Sequence, residues 1–304
     1  MIDMSNIYNR FFNKDSNIKT ELIAGITVAL ALVPEAIAFS FVAGVSPLVG
    51  LYSAFIVGLL SSIFGGRPGM ISGATGALAV VMVELVLHHG VEYLFAAVVM
   101  MGIIQILVGV LRLGKFSRII PETVMLGFVN GLAIVIFLAQ LNSFKFDGEW
   151  VFDSRLIITV VIVVVTMLII HFLPKIKKGI PGALVAIVVI SLIVLGLDID
   201  VVTVGDLASV KGGFPSLHIP LVPAKFETLS IIAPYAFIFA AIGLIESLMT
   251  LRLVDDLTDT RGSTDKECIG QGIANTVTGM FGGMGGCAMI GQSMINVENG
   301  GRKR

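Results

Sequence analysis

Long apolar stretches separated by short polar connections dominate this chain. A helix that crosses a membrane needs about 20 consecutive apolar residues. The pattern predicts full spans at residues 21–41, 47–64, 93–111, 122–141, 155–173, 181–197 and 231–253, and shorter apolar segments at 76–88, 267–281 and 289–299. The longer polar connections lie at 142–154 and 198–230. We therefore expect an all-α polytopic membrane protein with its spans in a lipid bilayer.

Composition supports this class and excludes others. Hydrophobic residues make up 56% of the 304 residues and charged residues 13%, and the mean hydropathy is +0.98. Soluble domains carry about 25% charged residues. The net charge of −1 comes without a basic, aromatic-rich patch, so no nucleic acid partner is expected. We find neither metal-ligand spacing nor a phosphate-binding loop. We expect no metal or cofactor beyond a coupling ion, and interpret Cys268 and Cys287 as small packing residues.

The positions of Lys and Arg predict the orientation, because cytoplasmic loops carry an excess of these residues. With the N-terminal segment 1–20 in the cytoplasm, 16 of the 20 Lys and Arg residues lie on the cytoplasmic side. The other four are Lys145, Arg155, Lys211 and Lys225. We therefore expect a multi-pass protein of the plasma membrane with a cytoplasmic N-terminus.

A glycine-rich segment occurs twice in the chain. Residues 63–76 read IFGGRPGMISGATG and residues 280–293 read MFGGMGGCAMIGQS, with Phe64 and Phe281 at equivalent positions. Paired Gly/Pro-interrupted segments in a membrane chain indicate a substrate site. The reason is that a broken helix exposes backbone polar groups, which the membrane interior tolerates only where they line a cavity. We expect residues 70–75 to be extended and a helix to begin near Gly76.

The two breaks have the chemistry of an anion site. A helix N-terminus carries about half a positive charge and free N–H donors, and two facing N-termini would form one electropositive pocket. The Thr75 hydroxyl either contacts a ligand or caps its own helix. Gln292 and Ser293 are the polar candidates at the second break, with the same two alternatives.

Carboxylates inside predicted spans are the second functional signal, because a charge in a membrane is costly. Glu246 is the best candidate for coupling, and Thr250 lies on the same helix face at i+4. The pair would carry a proton or present oxygen ligands to a cation such as Na⁺; alternatively, Glu246 bonds the broken backbone for structure alone. Glu35 has the same two alternatives, and Glu84 lies near the outer end of its short segment.

Several segments resemble the sulfate-permease (SulP) family of inorganic anion transporters. They are residues 33–39 (VPEAIAF), the first break at 65–76, 255–258 (DDLT), 275–283 (NTVTGMFGG) and 296–302 (NVENGGR). The resemblance covers essentially the whole chain. It implies a seven-plus-seven inverted-repeat transporter fold, in which spans 1–4 and 8–11 form a core domain and spans 5–7 and 12–14 a gate domain. A cytoplasmic STAS domain usually follows.

The resemblance also implies a substrate site between two half-helices. Its residues here are Ala74, Thr75, Gly76, Ala288, Met289 and Ile290, beside the Gln292 proposed above. Sodium-coupled bicarbonate members have an Asp and a Thr where this chain has Glu246 and Thr250, and a hydroxyl residue where it has Ile290. That departure leaves proton coupling or exchange open beside sodium.

The repeat leads us to expect an incomplete second half. Only 23 residues follow Phe281, whereas the first repeat continues from Phe64 to about Leu197. We expect a transmembrane domain at 21–304 that contains spans 1–10, with the core at 21–111 and 231–304, half of the gate at 122–197, and no STAS domain. Such a chain is expected to transport poorly or not at all by itself.

The function these observations favour is secondary active transport of sulfate, bicarbonate or chloride by an elevator-type movement of the core. A nucleobase permease of the same fold is one alternative, and an anion-binding membrane fragment without transport is another. An intramembrane enzyme is disfavoured, because no histidine is expected to face Ser72 or Thr75. Members of the family often form dimers, so a homodimer is expected.

Overall fold

The computed structural model describes residues 18–115, 154–176, 182–201 and 212–303, with isolated positions between 123 and 141. Its helices are α1 (Ile18–Val42), α2 (Pro47–Phe64), α3 (Gly76–His89), α4 (Val91–Val110), α5 (Ser154–Ile176), α6 (Gly182–Gly196), α7 (Phe226–Thr258), α8 (Thr264–Met280) and α9 (Ile290–Glu298). Two short strands, β1 (Ser72–Gly73) and β2 (Cys287–Ala288), complete this part of the chain. The predicted span at 122–141, most of the connection at 142–154 and the N-terminal segment up to residue 17 lie outside the continuously described residues.

Each of the other nine predicted membrane segments overlaps a helix. Among the described residues, five helices are long and apolar enough to cross a membrane, at Ile18–Val42, Pro47–Phe64, Val91–Val110, Ser154–Leu173 and Phe226–Thr258. The largest difference concerns α7, which begins at Phe226, five residues before the predicted start at 231. The predicted connection at 198–230 therefore ends earlier than the hydropathy pattern indicates.

Local sequence explains several helix ends. Pro47 occupies the first turn of α2, where the missing N–H costs no hydrogen bond. The side chain of Ser263 caps α8 by accepting from the Lys266 N–H. Helix α7 is followed directly by Asp259, whose left-handed conformation (φ 51°) is typical of a helix C-terminus.

The chain divides into two compact units. The first contains residues 1–128 and 212–304, and the second contains residues 129–211. In the second unit α5 packs against α6, and large apolar side chains such as Met167 and Leu192 are exposed. Such faces suit lipid, which is as apolar as the side chains themselves. The assignment of core and gate domains to sequence ranges stays a prediction.

The first unit is built around the contact between α4 and α8. A Cβ atom on Gly272 would lie 2.6 Å from the Gly102 carbonyl oxygen and 2.6 Å from the Ile106 N. Glycine is therefore required at Gly272 if the two helix backbones are to approach this closely. Fully buried Leu94, Met101 and other apolar residues fill the core beside this contact.

Two short extended segments interrupt the helices of the first unit and pair with each other. Strands β1 and β2 are antiparallel, with Ser72 opposite Ala288 and Gly73 opposite Cys287. Each strand leads within three residues into a helix, and α3 begins at Gly76 as the sequence predicts. Because the strands run in opposite directions, the chain enters α3 and α9 from opposite ends of the pair. The two glycine-rich repeats thus meet at one place in the fold.

Candidate functional site

The pairing of the two breaks depends on a residue without a side chain. A Cβ atom on Gly286 would collide with the backbone of Gly73, lying 2.6 Å from its carbonyl carbon. Any larger residue would push β2 away from β1. The glycine-rich composition of the breaks therefore serves a close backbone contact at the centre of the site.

The structure brings the sequence-predicted binding residues together around this strand pair. All but one of them are buried, and Ile290 is partly exposed. The buried ones are Ala74, Thr75, Gly76, Ala288, Met289 and Gln292. The residues that begin the two half-helices thus lie in the protein interior, where a ligand loses most of its water.

Thr75 does not cap its own helix. Its backbone is extended (φ −125°, ψ 148°) and its side chain makes no capping hydrogen bond. The hydroxyl instead lies 3.1 Å from the sulfur of Cys287 on the opposite strand. Of the two alternatives for this hydroxyl, simple capping is therefore not the one observed.

A hydrogen-bonded chain connects Thr75 to the carboxylate of α7. The Cys287 thiol donates to Glu246 Oε2 at 3.0 Å. A thiol has a single proton, so the Thr75 hydroxyl donates to the sulfur. Thr75, Cys287 and Glu246 are all at least nine-tenths buried. Cys287 is buried as expected, but its thiol also bonds Thr75 and Glu246. Only the register of the strand pair reveals this second role.

Thr250 shares the helix face of Glu246, as predicted, but its proton is already used. Its hydroxyl donates to the Glu246 backbone carbonyl at 2.8 Å, within α7. The lone pairs of the Thr250 oxygen are what it would offer to a cation. Glu84 lies away from this site, because its side chain is 61% exposed and pairs with His88 at 3.0 Å.

Glu35 and Gln292, which are far apart in sequence, contact each other. Gln292 Nε2 donates to Glu35 Oε2 at 2.7 Å and so connects the first turn of α9 to α1. Gln292 Oε1 is buried and has no hydrogen-bond partner within the described part of the chain. The amide of Gln292 therefore serves the Glu35 carboxylate, and its other end remains an available acceptor.

The geometry identifies which backbone amides a ligand can use. The Ala288 N–H donates to Ser247 Oγ at 3.0 Å, and the Met289 N–H donates to the Ile71 carbonyl at 2.9 Å. The first helical bonds run from Ala79 to Thr75 in α3 and from Ser293 to Met289 in α9. The N–H groups of residues 76–78 and 290–292 precede these bonds and have no intrahelical acceptor. These six amides are the donors of the candidate site.

Sequence reasoning missed a row of polar residues on α8. Glu267, Gln271 and Asn275 follow one another at intervals of four residues, and each is at most 1% exposed. Glu267 Oε2 accepts from the Gly66 N–H at 2.6 Å. Asn275 bonds the backbone of Gly286 through both ends of its amide. The i, i+4, i+8 spacing was the available signal, since it places all three on one helix face.

Arg67 fixes the start of the first break to the end of α7. Its Nε lies 3.1 Å from Asp255 Oδ1, and its Nη2 donates to the Val254 carbonyl and to Thr260 Oγ1, both at 2.9 Å. It also contacts the Thr258 hydroxyl. Asp255 thus neutralises the buried Arg67 guanidinium, and other groups of the protein take up its hydrogen bonds. These contacts argue against a direct role of Arg67 in anion binding.

Comparison with known proteins gives a consistent result. The model of the sulfate permease family matches residues 18–146 and 151–304. A Bacillus subtilis protein named "Putative sulfate transporter YbaR" is 51% identical over 288 residues, covering 95% of this chain and 59% of its own length. The bicarbonate transporter BicA of Picosynechococcus is 32% identical over 314 residues, covering 94% of this chain and 54% of its own. The chain thus spans somewhat more than half the length of these relatives, which are named as transporters and not as enzymes.

Solved structures show the same fold. The transmembrane domain of a cyanobacterial bicarbonate transporter BicA superposes with a TM-score of 0.80 at 31% identity, over 96% of this chain and 78% of that one. The murine anion transporter Slc26a9 in its inward-facing state gives a TM-score of 0.75 at 17% identity, over 98% and 57%. The second likeness shows the fold alone. The chain is an α-helical membrane protein with the inverted-repeat transporter fold.

Proposed function

The chain belongs to the sulfate permease family, and from this premise we propose that it binds a small inorganic anion between the N-terminal turns of α3 and α9. The site would serve secondary active transport of sulfate, bicarbonate or chloride across the membrane. The observation that carries the proposal is the meeting of two helix N-termini at the β1–β2 pair. Relatives named as sulfate and bicarbonate transporters support this class of substrate.

The donors at this meeting point suit an anion. Six amides lack intrahelical acceptors, and each helix end contributes about half a positive charge. A positively charged side chain is therefore not needed to bind the anion. This agrees with the pairing of Arg67 with Asp255. Thr75 would donate to the anion by turning its single proton away from the Cys287 sulfur. Gln292 would donate through the second N–H of its Nε2, since the first bonds Glu35. Backbone amides recognise charge and size, so the choice among the three anions rests on pocket dimensions.

The buried carboxylates support coupling to a proton or a cation. An ionised carboxylate close to a bound anion repels it, and burial strengthens the repulsion. The Cys287 thiol connects Glu246 to Thr75, so one side chain separates the carboxylate from a residue of the proposed site. A proton on Glu246 removes the repulsion. With Ile290 in place of an oxygen ligand, we favour the proton over Na⁺ as the coupling ion, and assign Glu35 and Thr250 supporting roles.

Binding by the chain in lipid nanodiscs tests the proposal directly. We expect saturable binding of labelled sulfate or bicarbonate, competed by the other anions and not by uracil. Thr75→Val should weaken it several-fold, because the variant keeps the shape and loses the hydroxyl. Thr278→Val is the matched control, since the buried Thr278 hydroxyl donates to the Ala274 carbonyl of its own helix and, within the described residues, to nothing else. Saturable binding of uracil without anion competition would instead favour a nucleobase permease.

Flux is a separate question from binding. Labelled anion uptake into proteoliposomes should be measured for this chain and for a chimera extended by the remaining C-terminal part of YbaR. Uptake by the chimera that Glu246→Gln abolishes would support transport at the proposed site. Anion binding by both forms without uptake by either would support the non-transporting alternative. Absence of anion binding would refute the proposal itself.

A further inference from the structure

Helix α8, like α7, bonds to both breaks of the candidate site, and it does so through three side chains on one face. Helix α8 carries Glu267, Gln271 and Asn275 on a single buried face. Buried polar side chains in a membrane interior are costly unless they are hydrogen-bonded. Three in a row therefore need a reason. Each of the three bonds to one of the two interrupted segments, in addition to the bond between Gln271 and Glu267 within α8.

Asn275 replaces the hydrogen bonds that the second break lacks. Its Oδ1 accepts from the Gly286 N–H at 2.8 Å, and its Nδ2 donates to the Gly286 carbonyl at 2.9 Å. The side-chain amide thus pairs with both backbone groups of Gly286 as a neighbouring strand would. Gly286 directly precedes β2, so this contact fixes where the Cys287 thiol and the start of α9 lie.

Gln271 and Glu267 bond the first break in a similar way. Gln271 Nε2 donates to Ser72 Oγ in β1 at 2.7 Å and to Glu267 Oε1 at 2.8 Å. Glu267 Oε2 in turn accepts from the Gly66 N–H at 2.6 Å. One turn of α8 therefore holds the chain on both sides of the bend that precedes α3.

The position of α8 is itself tightly fixed. Close contact at Gly272 brings its backbone against α4, and Asn275 Nδ2 also donates to Gln105 Oε1 of α4 at 2.9 Å. An element so placed can set the distance between two segments that are bonded to it. Loss of its polar contacts would free the breaks without removing any residue that touches the ligand.

We propose that α8 is a positioning element of the anion site, with Asn275 fixing the second half-helix and Gln271 with Glu267 fixing the first. This inference rests on the proposed function for the identity of the ligand. The geometric part of it, that these side chains hold the two breaks in place, does not depend on any ligand. None of the three residues is required to contact the anion.

The test combines hydrogen exchange with anion binding, both in nanodiscs. Asn275→Leu removes two hydrogen bonds to Gly286, so we expect amide exchange at residues 283–292 to rise on the order of tenfold. Sulfate or bicarbonate affinity should fall by a similar factor. Gln271→Met should raise exchange at residues 66–76 instead. Thr278→Val, which removes a buried hydroxyl from the same helix, should change neither. Should Asn275→Leu fail to fold, Asn275→Asp keeps the acceptor for Gly286 and tests the same claim.

The outcomes separate the two proposals. Unchanged exchange in the breaks of the Asn275 and Gln271 variants would overturn the positioning role. So would raised exchange with unchanged anion affinity, or a lowered melting temperature with neither local effect. If the unsubstituted chain binds no anion, the proposed function fails, and the exchange rates still decide whether α8 holds the breaks.

Discussion

Replacement of Cys287 tests the connection between the anion site and the buried carboxylate. Cys287→Ala removes the thiol that donates to Glu246 Oε2 at 3.0 Å and accepts from Thr75 at 3.1 Å. Glu246 is only 8% exposed, so water cannot fully replace the lost donor. Cys287→Ser is the informative partner variant, because a hydroxyl can make both bonds at a slightly shorter reach.

The size of the effect follows from the burial of these groups. Leaving a buried polar group unsatisfied costs about 1–3 kcal/mol, and the small cavity left by the sulfur adds about 1 kcal/mol. We therefore expect Cys287→Ala to lower the free energy of unfolding by about 2–4 kcal/mol. Cys287→Ser should lose less than half of that, since it retains the hydrogen bonds and gives up only part of the packing.

Unfolding in mixed micelles, followed by circular dichroism, measures the stability of each variant. Anion affinity in nanodiscs should fall in Cys287→Ala and be largely restored in Cys287→Ser, because the hydroxyl again fixes Glu246 relative to Thr75. Equal loss of stability in the two variants would show that the sulfur matters through packing alone. In that case the proposed connection from Glu246 to the site would be wrong.

Three further predictions concern other parts of the site. Gly286→Ala should abolish anion binding and lower the melting temperature, because the new methyl group collides with the backbone of β1; Gly25→Ala, with open space around its Cβ, should do neither. Anion affinity should weaken as pH rises, since release of the Glu246 proton leaves a negative charge near the anion, and Glu246→Gln should remove that dependence; an unchanged pH profile in the variant would count against proton coupling. Arg67→Met breaks a buried ion pair and should lower the free energy of unfolding by about 3–5 kcal/mol, whereas a loss below about 1 kcal/mol would show that its partners are readily solvated.

The sequence was sufficient to predict the parts of the fold that depend on local pattern. Hydropathy located nine helices of the described residues, and the repeated glycine-rich segment located both breaks. The extended residues before Gly76 were predicted from the glycine and proline content that disfavours a helix. The resemblance to the sulfate permeases is confirmed. Orientation, the domain boundaries, the coupling ion and a homodimer stay predictions.

Contacts between distant residues could not be predicted in the same way. Glu35 and Gln292 were each proposed from their own surroundings, and nothing local indicates that they meet. The bond from Cys287 to Thr75 depends on the register of a two-residue strand pair. The partners of Asn275 are set by how closely α8 approaches α4 at Gly272, a distance that depends on the packed fold. Hydropathy does not indicate that the polar face of α8, with Glu267, Gln271 and Asn275, is buried, because α8 is less apolar than the longer spans.

Hydrogen exchange of the chain with and without sulfate or bicarbonate shows whether the anion binds between the two half-helices. We expect a saturating anion to slow exchange of the amides at residues 76–78 and 290–292, at the two helix N-termini beside the strand pair. Protection should appear in both segments at the same anion concentration. Saturable binding with protection elsewhere, or in only one of the two segments, would contradict an anion held between the half-helices.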